Sequence, residues 1–113
     1  MHTPDALAVL SALAQESRLA IFRYLVTLGP AGQAATRIGE QLAIPASSLS
    51  FHLKELSRAG LITSRQESRF IIYAANFAQM NGLIAFLTEN CCGGNPCSPI
   101  AGACAIDTST ASP

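Results

Sequence analysis

Apolar residues recur at helical spacing through most of the chain as far as Asn90. Leu7, Val9, Leu10 and Leu13 repeat at intervals of three and four, the pattern of an amphipathic helix. Pro4 suits its first turn, where a missing amide donor costs nothing. From Glu16 to Leu28 the apolar set Leu19, Ile21, Phe22, Leu25, Val26 and Leu28 runs nearly all round a helical wheel, which predicts a central core helix. Gly29, Pro30 and Gly32 break it. Ala35, Ile38 and Leu42 mark a short third helix with Arg37 and Glu40 outward. It stops at Ile44-Pro45, because a residue before proline avoids helical geometry. A fourth helix follows at once, with Leu49, Leu53 and Leu56 as its buried stripe and Gly60 as its stop. The pattern then turns strand-like. Residues 62–67 and 70–75 read as a two-stranded hairpin, and Phe70, Ile71, Ile72 and Tyr73 are strong strand formers. Asn76 can cap a last helix, from Phe77 to about Asn90, apolar at Leu83, Ile84, Phe86 and Leu87.

Two short helices joined by a tight turn and followed by a hairpin predict a winged helix-turn-helix, mainly α with a small β-hairpin. Residues 1–90 would form this one domain. From Cys91 to Pro113 the composition shifts to Gly, Pro, Ser, Thr, Ala and Cys, a tail expected to be irregular or disordered unless something ties it down.

Half of the 113 residues are hydrophobic, enough for a core. A single small domain still buries a modest share of its surface, so dimerisation would help. No apolar run approaches the ~20 residues needed to span a bilayer, and the N-terminus lacks the basic start of a signal peptide. The expectation is a cytoplasmic protein with no membrane partner, whose cysteines stay reduced. Zero net charge argues at first against a nucleic-acid partner, but the distribution softens that objection. Residues 37–69 carry five cations (Arg37, Lys54, Arg58, Arg65, Arg69) against three acids, a net +2, and the remainder is −2. So weak a patch implies modest non-specific affinity and a shallow salt dependence.

On the fourth helix, successive residues turn by about 100°. Ser47, Phe51, Lys54 and Arg58 therefore face away from the leucine stripe, with Ser48 and Ser50 at the flanks. Serines at close range suit base edges, and Phe51 could rest on a thymine methyl or pack on a neighbouring element. Lys54 and Arg58 suit phosphate contact. His52 lies at the edge of the apolar stripe, where a packing histidine is the commoner role. Arg65 and Arg69 flank the hairpin tip, within reach of the backbone or the minor groove. No Ser-His-Asp set, paired acids or phosphate loop points to an enzyme.

The segments SRLAIFRYL, SLSFHLKEL, AGLI and SRFIIYAAN together resemble the ArsR–SmtB family of small metal-responsive repressors, over about residues 4–90. The resemblance implies a homodimer with the first and last helices at its interface. It also implies binding to double-stranded operator DNA, and release when an effector binds. Two of the family's effector sites do not carry over. AATRIGEQL lacks the cysteine pair of the third helix, and NFAQMNGLIAFLTEN lacks the histidines of the last helix. Ser68 stands in the wing turn where glycine is frequent.

The remaining candidate is NCCGGNPCSPIAGAC, which holds Cys91, Cys92, Cys97 and Cys104. Thiolates select soft ions. Trivalent arsenic or antimony takes three sulfurs in a pyramid, which suits a vicinal pair and one returning cysteine, Cys97. A methylated trivalent arsenical needs only Cys91 and Cys92, and Cys104 is the least certain ligand. Zinc, with four tetrahedral ligands usually supplied by Cys-x-x-Cys pairs, fits adjacent cysteines poorly. A thiol redox switch or a zinc-responsive repressor with the same DNA-binding domain remains the alternative to an arsenic-released repressor.

Overall fold

Each helix begins and ends where local chemistry allows. The computed structural model describes residues 1–94. Helix α1 (Thr3–Leu13) opens with proline in its first turn, and Asp5 Oδ2 accepts a bond from the His2 amide at 3.1 Å. Helix α2 (Glu16–Leu28) is capped by Gln15, whose side chain accepts from the Arg18 amide at 2.9 Å. A 3₁₀ turn (Gly29–Ala31) and a two-residue strand β1 (Gln33–Ala34) lead into α3 (Ala35–Leu42). Ala43 ends α3 in the left-handed conformation, and Pro45 then precedes α4 (Ala46–Arg58). Gly60, at φ 76°, turns the chain out of α4 into β2 (Ile62–Glu67), β3 (Phe70–Ala75) and α5 (Phe77–Leu87). A short turn, Cys91–Gly94, follows.

The core gathers Val9, Ile21, Leu25, Ile38, Leu56 and Leu61, all essentially without solvent contact. Leu49, Leu53 and Leu56 form the buried stripe of α4 that their spacing predicted. The apolar residues of the first two helices divide between core and surface, and the expectation of an all-round buried α2 needs correcting. In α1 the buried residues are Ala6, Val9 and Ala12, while Leu7 is 60 % and Leu10 39 % exposed. Helix α2 buries Ile21, Phe22 and Leu25 but leaves Leu19 and Val26 exposed. It is a one-sided core helix, because only one face meets α1, α4 and β3 within the protomer. Helix α5 also ends at Leu87, three residues before Asn90.

The hairpin has the predicted limits, but it belongs to a three-stranded antiparallel sheet of order β1-β3-β2. Strand β1 pairs Gln33 with Tyr73 and Ala34 with Ile72. On the other side Arg65 faces Ile72 and Glu67 faces Phe70. Toward the tip beyond Ile72, the hairpin therefore has only its own two strands. Ser68, at φ 58°, makes the turn. No helix of the described residues is long and apolar enough to cross a membrane.

Candidate nucleic-acid interface and thiol site

Helix α4 presents a polar face because its three core leucines are spaced to leave the opposite side in solvent. Ser47, Ser48, Ser50, Phe51, Lys54 and Arg58 are all exposed, Phe51 at 56 %. Lys54 makes no ion pair or side-chain hydrogen bond among the described residues, whereas Arg58 lies 3.4 Å from Glu55. A cleft of about 490 Å³ runs along this helix, lined by Thr36 of α3, Ser50, Lys54 and Ser57 of α4, and Tyr73 of β3 over a floor of Leu49 and Leu53. Thr36 and Ser57 were not among the sequence candidates. Ser57 lies seven residues after Ser50 on the same face of α4, so helical spacing could have found it, whereas Thr36 joins them only once α3 and α4 are packed.

His52 has a structural duty. Its Nδ1 lies 3.3 Å from Arg18 Nη1, while Arg18 Nε donates to the Ala12 carbonyl at 2.7 Å. The end of α1, the start of α2 and the middle of α4 are thus tied by one guanidinium. Since arginine only donates, the Nδ1 atom accepts. The Phe51 ring meets His52 edge-on, 5.7 Å between centroids.

The two wing arginines differ sharply. Arg65 Nε donates to Glu67 Oε2 at 2.6 Å, and its two terminal nitrogens donate to the carbonyls of Pro30 (3.1 Å) and Ala31 (2.8 Å). Arg69, beside Ser68 at the turn, is exposed and makes no such bond among the described residues.

The far end of α4 is gripped by α5. Asn76 Nδ2 donates to the Gly60 carbonyl at 2.9 Å and Gln79 Nε2 to the Ala59 carbonyl at 2.9 Å. These carbonyls belong to the turn that immediately follows the last residue of α4. Asn76 Oδ1 also caps α5 itself, accepting from the Gln79 amide at 3.3 Å. The opposite end of α5 leads to Cys91 and Cys92, whose Sγ atoms lie 3.5 Å apart. The turn that brings them together puts Asn90, Cys92 and Gly93 at positive φ, and the Cys91 amide bonds to the Thr88 carbonyl at 2.9 Å. The sulfurs are well beyond the ~2.05 Å of a disulfide and close enough for one soft centre to bridge them. Among the described residues no group of three or more His, Cys, Asp or Glu could hold a metal ion. Cys97 and Cys104 lie outside the described residues.

The helix-turn-helix domain family matches residues 13–65, from the end of α1 into the wing. The chain is similar in fold to an ArsR-like transcriptional regulator from Rhodococcus sp. RHA1. That match has a TM-score of 0.68 and 28% identity, and covers 95% of this chain and 96% of that one. The chain thus resembles ArsR-like transcriptional regulators in its fold and carries a helix-turn-helix segment at its centre. A possible transcriptional regulator for arsenical resistance is also similar in structure, with a TM-score of 0.57 and 26% identity over 70% of this chain and 82% of that one. In sequence, the chain is 39% identical over 61 residues to the uncharacterized HTH-type transcriptional regulator YceK of Bacillus subtilis. The match covers 54% of this chain and spans 60% of that curated relative.

Proposed function

We propose that the chain is a homodimeric transcriptional repressor that binds operator DNA through α4 and the wing, and leaves it when trivalent arsenic binds Cys91 and Cys92. Cys97 is the third thiolate for arsenite or antimonite, and a methylated arsenical is held by the first two alone. The observation that carries this reading is the pair of sulfurs 3.5 Å apart at one end of α5, while the other end of the same helix holds the carbonyls that close α4. A ligand that draws the thiols together reorders the chain end of α5. The amide bonds of Asn76 and Gln79 then carry any shift of α5 to the recognition helix.

Dimerisation is supported by the apolar surface left on α1 and α5. Leu7, Leu10 and Leu87 are each at least 39 % exposed, and the two helices pack together. A second copy would cover that surface and set the two α4 helices about one DNA turn apart, ~34 Å. A coupling of ~1–3 kcal/mol between thiol ligand and DNA is the usual size for such linkage.

The test is Cys91→Ser. It should bind promoter DNA as the parent does and stay bound when arsenite is added. Normal release by arsenite from this variant would place the effector site elsewhere. Peroxide-driven release of the parent without any metalloid would instead favour a redox switch at the same thiols.

A further inference from the structure

We propose that Arg65 is a positioning residue of the wing, a strut that aims Arg69 at a DNA phosphate, and that it makes no DNA contact of its own. This rests on the DNA-binding reading above. Three donors of the Arg65 guanidinium are already engaged, by the Glu67 carboxylate and by the carbonyls of Pro30 and Ala31. Glu67 also cancels its charge locally, so Arg65 offers a phosphate little field.

The strut sits where it has leverage. Arg65 lies opposite Ile72, the residue nearest the hairpin tip at which β3 still pairs with β1. Below that register the hairpin is held on both sides of β3. Beyond it, Gln66 to Ile71 form an unsupported two-stranded tip, and such ribbons are marginal by themselves. Arg65 bridges this boundary to the 3₁₀ turn at Gly29–Ala31, which leads into β1 and α3. It therefore fixes the angle of the wing against the helix-turn-helix. At ~3.3 Å per residue the tip projects about 10 Å past the strut. A tilt of about 10° there would move Arg69 by nearly 2 Å, enough to take a charge-assisted hydrogen bond out of range. A guanidinium reaches three acceptors at once because its donors are spread in a fixed planar fork. A lysine at the same place keeps the charge and cannot span them.

The experiment measures affinity of the full-length protein for a labelled duplex from the promoter of its own gene across a range of salt concentrations. The proteins compared are the parent, Arg65→Ala, Arg65→Lys, Arg69→Ala and the double variant Arg65→Ala/Arg69→Ala. Each phosphate contact contributes about 0.9 to the slope of log K against log salt. The strut predicts that Arg69→Ala, Arg65→Ala and the double variant all lose the same single increment, about 0.9. It also predicts that Arg65→Lys behaves like Arg65→Ala, although its thermal stability stays close to that of the parent. An additive loss of about 1.8 in the double variant, or full binding by Arg65→Lys, would show that Arg65 touches DNA and would overturn the proposal. Parent-like binding by Arg65→Ala would overturn it as well. If the parent itself shows no salt-dependent binding, the DNA-binding reading fails, and the strut with it.

Discussion

Replacing Gly32 by alanine should unfold this domain far more readily than the same change at Gly29, three residues away. Both glycines occupy nearly one conformation, φ 67° and ψ −157° at Gly29, φ 65° and ψ −162° at Gly32. That region is open in practice only to glycine, and a side chain there costs about 1–3 kcal/mol. At Gly29 a new Cβ meets nothing within 4 Å, so that strain is the whole effect. At Gly32 the Cβ would lie 2.3 Å from the Tyr73 carbonyl oxygen, 3.0 Å from its carbon and 3.1 Å from the Ala74 Cβ. An ordinary carbon–oxygen contact needs ~3.3 Å, so backbone must move by about 1 Å. Tyr73 cannot give way cheaply, being paired to Gln33 on one side and Ser64 on the other. The relief is to part β1 from β3, losing backbone hydrogen bonds worth roughly 0.5–1.5 kcal/mol each. The expected totals are about 1–3 kcal/mol for Gly29→Ala and roughly 3–6 kcal/mol for Gly32→Ala. Urea unfolding followed by far-UV circular dichroism would measure both at one protein concentration, since dimerisation adds to apparent stability. Equal losses at the two positions would refute the reasoning, because they would mean that β1 does not hold the wing.

Other substitutions probe the remaining elements. Ser68→Gly relieves the positive φ at the wing turn and should raise stability by about 0.5 kcal/mol, seen as a higher urea midpoint. Leu7→Asp places a charge on the exposed face of α1 and should convert a dimer to monomers in sedimentation velocity, with a matching loss of DNA affinity. Gln79→Ala removes the donor to the Ala59 carbonyl. It should keep DNA binding within a few-fold while cutting the effect of arsenite on that binding, read by anisotropy with and without the metalloid. Lys54→Ala should lower the salt slope of DNA binding by about 0.9 if this lysine meets one phosphate.

The backbone plan was legible because this chain punctuates its elements clearly. Pro4 opens α1, Asn76 caps α5, Gly60 turns the chain out of α4, and residues 62–75 change period abruptly. Strand β1 was not legible, since Gln33 and Ala34 carry no strand pattern and pair only because Gly32 allows backbone to approach Tyr73. Which side of α1 meets the core was not legible for a related reason. Periodicity shows that a helix has an apolar side, and alanines in tight packing can take the core while leucines face outward. Within the candidate interface, the exposed side of α4 followed from the spacing of Leu49, Leu53 and Leu56. The contrast between Arg65 and Arg69 did not, because the acceptors for Arg65 come from a turn some thirty-five residues earlier in the chain. The adjacency of Cys91 and Cys92 was plain in the sequence, whereas the grip of α5 on the end of α4 depends on tertiary packing alone.

The central claim, thiol-gated release from DNA, is tested most directly by fluorescence anisotropy of the reduced protein on labelled promoter duplex. Arsenite, methylarsenite, zinc and peroxide would be titrated in separate runs. The account predicts that a trivalent arsenical lowers the anisotropy to that of free DNA, while zinc and peroxide leave the complex intact. A complex that survives both arsenicals would contradict it.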